Sequence, residues 1–284
     1  MKAASFAYEA PRTVADALTI LSQHEDGRVL AGGQTLVPMM AFRMARPSVL
    51  VDINKLAEVD YCEVRNSFLC IGALTRHEKF HNAVVDGALG ELLAAVVKHI
   101  AHPPIRTRGT FCGSVAHADP SSEWCLVSAT LDATVVLASV AGRREVAAHE
   151  FFLGLLSTAI QAGEMIVEVR LPLLSRDTKF GFSEFSRRAG DFALAMALAV
   201  VRVEKDKVIE VRVGLGGVET LPRRICETER ILSDCVPSLD LVREAAEVAA
   251  TSVDPLEDIQ ADIPLRRDLT RAVIERALKQ ALSL

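Results

Sequence analysis

A chain of 284 residues exceeds the usual ~100–200 residues of one domain, so two or three domains are expected. Half of its residues are hydrophobic, enough for a substantial core, yet no run approaches the ~18 apolar residues of a membrane span. A formal net charge of −5, no basic run and an aromatic content of 5% exclude a nucleic-acid-binding surface.

The N-terminus carries no apolar signal region, so a cytoplasmic protein is expected. Thr13-Val14-Ala15-Asp16 reads as a helix N-cap, and Val14, Ala17, Leu18 and Leu21 follow at helical spacing. Residues 28–31 form a short strand running into Ala31-Gly32-Gly33-Gln34-Thr35-Leu36. Gly32 and Gly33 permit positive φ and close backbone approach, and Thr35 supplies a hydroxyl. A glycine pair alone usually marks a tight turn. This one is neither a Gly-x-Gly-x-x-Gly fingerprint nor a lysine-bearing phosphate loop. Short strands follow at 49–53 and 68–71, with His77 between them and the next helix as a surface histidine within reach of a ligand. Residues 90–101 place Leu92, Leu93, Val96, Val97 and Ile100 at helical spacing, and Pro103-Pro104 stop that helix.

Residues 105–120 are unusually rich in small and hydroxyl side chains, among them Gly109, Thr110, Gly113, Ser114 and Ala116. They read as a long polar loop whose bare backbone N–H groups and hydroxyls suit a phosphate. Taken singly, His117 is a structural histidine and Asp119-Pro120 a turn. Set before a helix over 121–131, capped by Ser121 and Ser122, they read as a ligand-facing loop. Glu123, in the first turn, is placed to accept hydrogen bonds from hydroxyls such as those of a ribose; its structural role is a favourable charge at a helix start.

Residues 134–140 and 165–171 are strands, the second ended by Pro172. The pattern breaks over 173–179, where a domain boundary is placed. Beyond it, 180–185 alternates. Residues 193–204 and 208–215 pair as a hairpin across Lys205-Asp206-Lys207, ended by Gly214, Gly216 and Gly217. Amphipathic helices over 241–250 and 266–282 complete a separate α+β unit. Arg187-Arg188 with Asp191 read as interdomain ion pairing. Cys62, Cys70, Cys112, Cys125, Cys226 and Cys235 sit at no metal-binding spacing, and no nucleophile triad, His pair or carboxylate pair is recognisable. No catalytic residue and no metal ligand is therefore assigned. Such a chain binds a reactive group rather than supplying one.

In their order and spacing, several motifs resemble the FAD-binding medium subunit of molybdenum hydroxylases, the family of carbon monoxide dehydrogenase, xanthine dehydrogenase and quinoline oxidoreductase. They are Ala31-Gly32-Gly33-Gln34-Thr35-Leu36-Val37-Pro38-Met39-Met40, Ala45-Arg46-Pro47, Val51-Asp52-Ile53 and Gly72-Ala73-Leu74-Thr75-Arg76-His77. His99-Ile100-Ala101-His102, residues 105–120, Arg187-Arg188-Ala189-Gly190-Asp191-Phe192-Ala193 and Leu215-Gly216-Gly217-Val218 continue the match, and Arg266-Arg267 with Arg276-Ala277-Leu278 closes it. The resemblance covers nearly the whole chain. It implies an α+β fold: a vanillyl-alcohol-oxidase-type FAD-binding domain over 1–174, in subdomains of about 1–56 and 57–174, then a C-terminal domain over 175–284 with a three-stranded antiparallel sheet and helices.

The resemblance implies non-covalent FAD. Ala31, Gly32, Gly33, Gln34, Thr35 and Leu36, with Thr110, Gly113 and Ser114, would hold its pyrophosphate. His117, Asp119 and Glu123 would lie along the ribityl and adenosine side. Ile100, Ala101, Met165 and Ile166 would pack the flavin and adenine, Phe192 would lie near the isoalloxazine ring, and His77 would stand close by. Relatives carry a lysine near the flavin at about Ser183 or Glu184; it is absent here, with Lys179 as the candidate in its place. Glu123 stands where aspartate is common, and Cys112 where glycine is usual, with a Cβ expected to fit a backbone of negative φ.

The implied function is electron transfer. A large partner subunit carries the molybdenum cofactor, a small one carries [2Fe-2S] clusters, and the assembly is a dimer of heterotrimers. The alternatives are a stand-alone flavin oxidoreductase of the same fold and a scaffold subunit that has lost FAD.

Overall fold

The computed structural model describes residues 2–284. The chain opens with β1 (Ala7–Glu9), α1 (Val14–Ser22), β2 (Arg28–Leu30), α2 (Leu36–Ala41) and β3 (Val49–Asp52). The three strands form a parallel sheet in the order β1-β3-β2. Its middle strand is the apolar run Val49-Leu50-Val51, buried as a central parallel strand requires. The side chain of Thr13 caps α1, its Oγ1 accepting from the Asp16 N–H at 3.1 Å. Val14, Ala17, Leu18 and Leu21 form the buried stripe of that helix.

The chain continues through β4 (Cys62–Arg65), β5 (Phe68–Gly72), α3 (Ala88–Val96), α4 (Pro103–Arg106), α5 (Phe111–His117) and α6 (Glu123–Thr130). It returns as β6 (Thr134–Ser139), β7 (Gly142–Ala147), α7 (Ala148–Phe151), β8 (Phe152–Gly154), β9 (Ser157–Thr158) and β10 (Met165–Pro172). β8 and β9 pair with each other, and the remaining strands form a five-stranded antiparallel sheet ordered β4-β5-β10-β6-β7.

Residues 105–120, expected to be one loop, are mostly helical. Pro103 and Pro104 do not merely follow α3. They open α4 at its first positions, where a helix has no use for the missing N–H. α5 begins where Thr110 accepts from the Gly113 N–H at 3.0 Å, and it ends at Ala118 with φ 52°.

The last third contains β11 (Lys179–Phe185), β12 (Ala195–Glu204), β13 (Lys207–Gly216), β14 (Arg223–Arg224), α8 (Cys226–Leu232), α9 (Leu239–Ser252) and α10 (Ile263–Leu282). Three long strands make an antiparallel sheet, extended at its edge by the two residues of β14. The hairpin turn is Lys205-Asp206, both with positive φ, as a two-residue turn matched to strand twist demands.

β12 explains why its sequence is apolar without alternation. Met196, Leu198 and Val200 face the core of the first two-thirds of the chain, while Ala195, Ala197, Ala199 and Val201 face the core shared with α9 and α10. Successive side chains point to opposite faces, so one strand serves two cores. The alanines let α10 approach closely. An added Cβ at Gly181 of β11 would stand 2.7 Å from Gln280 Cβ on that helix. Among the described residues no helix is long and apolar enough to cross a membrane.

Candidate functional site

The two glycine-bearing stretches, more than seventy residues apart in sequence, pack directly on one another. A Cβ at Gly32 would stand 2.7 Å from Gly109 Cα and would collide with the carbonyl of Arg108. Glycine is required here by the neighbouring backbone, not by a turn. Two polar side chains tie the junction. Asn54 donates to Ala31 O at 2.8 Å, and Arg76 donates both to Asn54 Oδ1 and to Arg108 O. No motif marks Asn54, because Ala31 and Arg76, which it joins, lie more than twenty residues away on either side.

Gly33 turns the first stretch with φ 69°, and Gln34 folds its side-chain amide onto Gly32 O at 2.9 Å. Thr35 precedes α2 without a side-chain capping bond, and Leu36 begins that helix. The N–H groups of Gly33, Gln34 and Thr35 donate to no backbone acceptor among the described residues. Successive free N–H groups in a turn of this kind form a cradle for an anion. On the second stretch, Gly113 lies on the exposed side of α5 and Ser114 is half-buried. Cys112 points the other way, 3% exposed, with its Sγ 3.5 Å from Ile71 O. It therefore fills core on the far side of α5 rather than the ligand side, and burial pushes its thiol pKa up.

His77 is not on the surface. It is 4% exposed, and its Nδ1 accepts from the Trp124 indole N–H at 2.9 Å. Its backbone N–H donates to Gly109 O at 3.0 Å, so it supports the second stretch from beneath. Burial, then the charges of Arg106 and Arg76, pull its pKa down to about 4, which keeps the ring neutral. Ile100 is buried and Ala101 takes φ 42°. Arg106 holds this bend by donating to Ile100 O at 2.7 Å and to Ala101 O at 3.0 Å.

α6 carries the seam with the C-terminal sheet. Gly214 of β13 admits it, since a Cβ there would stand 2.9 Å from Leu126 Cδ1. Before α6, Asp119 accepts from the Ser121 N–H at 2.9 Å, and Ser121 Oγ donates to Ala193 O at 2.8 Å. The Gly217 N–H donates to Pro120 O at 2.7 Å. Buried Arg266 secures the same turn through Leu194 O, Gly217 O and Asp258. His117 is half-buried, and burial lowers its pKa against the opposing pull of Asp119.

Glu123 begins α6 with its carboxyl pushed up to about 7 by burial, with a further push from Asp119. Glu184 of β11 is pushed up to about 8, by burial first and by Glu123 second. Glu184 Oε2 is buried with no hydrogen-bond partner, and His99 Nδ1 stands 3.7 Å from it.

Phe192 is 68% exposed, and with Gly190, Asp191 and Gln260 it lines a surface hollow of about 380 Å³. Its loop lies against the 99–102 bend, with a Cβ at Gly190 reaching 2.8 Å from His102 Nδ1. Instead of an ion pair, Arg187 makes a hydrogen bond to Gln260 O at 2.7 Å. Met165 and Ile166 are core residues at the start of β10, paired with Ala138 and Leu137, and no hydrogen bond links them to either glycine stretch. Lys179 lies at the far end of β11 from Phe185, exposed, with Nζ 3.3 Å from Ser283 Oγ. Five strand residues lie between it and Phe185, an end-to-end span of roughly 20 Å, so it does not stand in for a lysine at Glu184.

A cradle of free N–H groups suits a ligand carrying a phosphate. The comparisons agree. Residues 4–174 match the family model described as the FAD binding domain in molybdopterin dehydrogenase, and residues 180–281 match that of the CO dehydrogenase flavoprotein C-terminal domain. The nicotine 6-hydroxylase medium subunit of Paenarthrobacter nicotinovorans is 34% identical over 99% of both chains. The 6-hydroxypseudooxynicotine dehydrogenase complex subunit alpha of the same organism is 37% identical, over 99% of this chain and 96% of that one. A chain of carbon monoxide dehydrogenase from Hydrogenophaga pseudoflava superposes with a TM-score of 0.95 at 33% identity, covering 100% of this chain and 99% of that one.

Proposed function

Because this chain belongs to the family of FAD-binding medium subunits of molybdenum hydroxylases, we propose that it is the electron-transfer subunit of such a complex, in which bound FAD takes electrons from [2Fe-2S] clusters on a small partner and passes them to an external acceptor. FAD is its cofactor, and the chain is the flavoprotein subunit of an oxidoreductase. The substrate is hydroxylated on a large partner carrying the molybdenum cofactor, and the whole is a dimer of heterotrimers. The FAD-binding domain occupies 1–174, split near residue 56, and the C-terminal domain 175–284; family matches that end at 174 and resume at 180 support this division.

The chain's own residues bind and orient. Gly32, Gly33, Gln34 and Thr35 present backbone N–H groups to the pyrophosphate, and Gly113 and Ser114 face it from the second stretch. Ala31 and Leu36 fix the ends of the first stretch, and Thr110 caps the second. Asp119, His117 and Glu123 line the sugar side. Ile100 and Ala101 form an apolar bend under the ring system, with Phe192 at its open edge. The observation that carries the reading is the packing of Gly32 on Gly109, which fuses two bare stretches into one surface.

The test is purification of the native complex. Denaturation should release one FAD per copy of this chain, and the complex should contain molybdenum and iron. A complex lacking both metals, or reduction of the isolated chain by a small organic substrate in a single turnover, would overturn the reading in favour of a stand-alone flavoprotein.

A further inference from the structure

The surface around the end of α2 has no part in the reading above. Phe42 is 68% exposed and Met44 73%, and Phe6 and Tyr8 stand exposed in and just before edge strand β1. These residues share one neighbourhood. Arg43 Nε donates to Lys2 O at 3.3 Å, which ties the segment before β1 to the end of α2, and the Met44 N–H donates to Met39 O at 2.9 Å. Leu50 of β3, in register with Tyr8, and Met40 of α2 are buried, yet neither belongs to the two main cores. Between Asp26 and Asp52 the sequence holds no carboxylate, only Arg28, Arg43 and Arg46, in a chain whose net charge is −5. Arg43 and Arg46 are exposed and spend their Nε on backbone carbonyls, Lys2 O and Arg43 O. The carboxylates that bound this stretch are occupied. Asp52 accepts from the Tyr8 hydroxyl at 2.5 Å, and Asp26 from the Ser48 N–H at 3.0 Å. The patch also runs up to the first glycine stretch, since a Cβ at Gly33 would stand 3.2 Å from Cγ2 of exposed Val37.

Large apolar side chains gathered at a surface mark an interaction site. Aromatic residues, methionine and arginine with few acidic neighbours are the composition of an interface centre. Two facts choose the occupant. Arginines without carboxylate partners around an apolar centre fit an acidic rim, and a second copy of this patch would set arginines against arginines. Continuity with the glycine stretch places the occupant beside the cofactor domain's ligand surface, where a subunit that delivers electrons must stand. Resting on the electron-transfer reading, we propose that this patch is the docking surface for the small iron–sulfur subunit, which meets it with an apolar centre and an acidic rim. Phe42 and Met44 fill the dry centre, and Arg43 and Arg46 face the partner's carboxylates.

The experiment uses the assembled complex, purified from cells that express all its subunits. A photoreactive phenylalanine analogue in place of Phe42 should, on illumination, join this chain to the iron–sulfur subunit. Cross-links to the large subunit, to a second copy of this chain or to no protein would overturn the proposal. Phe42→Asp with Met44→Asp should weaken retention of the iron–sulfur subunit about thirtyfold, the loss expected of an interface anchor, with flavin content and thermal midpoint unchanged. Arg43→Glu with Arg46→Glu should release that subunit in dilute buffer and regain it near 1 M salt, where screening acts within about 3 Å. A merely structural role would not be rescued by salt. Val140→Glu, on the β6–β7 turn and comparably exposed at 64%, should change nothing. Full retention in both double variants, or equal loss in Val140→Glu, would overturn the proposal. Where the aspartates disturb folding, the cross-link, made on an otherwise intact surface, decides alone. A native complex that contains no iron–sulfur subunit would overturn the underlying reading instead.

Discussion

The stretches around Gly32–Gly33 and around Gly113 look alike in sequence, both small-residue and hydroxyl-bearing, yet they are built differently. The first is a turn with positive φ at Gly33 and free N–H groups. The second is the opening of a helix, capped by Thr110 and anchored by Cys112, with His77 beneath it. A bare composition therefore reports that backbone is approached closely, but not by what. At Gly32 the approaching group is another piece of the same chain; at Gly113 nothing but the Thr110 side chain lies near.

The sharpest way to break this comparison is Gly32→Ala. Its Cβ must push the Arg108–Gly109 backbone away, costing about 3 kcal/mol by overpacking, and the flavin-to-protein absorbance ratio should fall to near zero. Normal flavin content would show that the two stretches need not touch. Gly113→Val should also strip flavin, for the opposite reason: its side chain enters ligand space, while the fold loses only about 1 kcal/mol from a disturbed cap. A thermal midpoint close to wild type with no flavin is the expected pair of readings.

Acid separates the two stretches further, because only the second rests on a histidine. His77 has a folded pKa of about 4, below its unfolded value near 6.5, so protons bind the unfolded chain more readily. Its contribution is complete above about pH 6.5 and is lost as pH falls towards 4, amounting to about 3 kcal/mol at most. Urea midpoints measured against pH should show this loss in the wild type and a shallower one in His77→Asn. The smallest effect on the cofactor belongs to Cys112→Gly. It should cost about 2 kcal/mol of stability, from lost burial and a helical glycine, yet leave flavin stoichiometry unchanged. A large change in flavin content would place Cys112 on the ligand side of α5.

Elements whose signals are local were legible in the sequence. The Thr13 cap, the stripe of α1 and the Lys205-Asp206 turn all rest on residues within a few positions of one another. Gly113, Ser114 and Ala116 offer no apolar stripe, so the sequence of α5 reads as a loop; its helix is specified by one cap and by Phe111, Cys112 and Val115 on the buried side. Pro103-Pro104 were read as a stop because proline ends and begins helices with equal ease. His77 was misplaced because its partner, Trp124, lies 47 positions away. The approach of His99 to Glu184 is invisible for the same reason: nothing near either residue announces it.

Trp124 is the chain's single tryptophan, fully buried and immediately after Glu123 on α6. Its emission overlaps the absorption of a flavin, so a flavin seated as proposed would take up energy from this fixed indole. The protein thus contains its own optical gauge: tryptophan brightness should track how much of the population is empty, residue by residue variant, without any label. Rebinding of the cofactor and its exclusion by a side chain would each be readable as one dimming or brightening signal from the interior of the molecule.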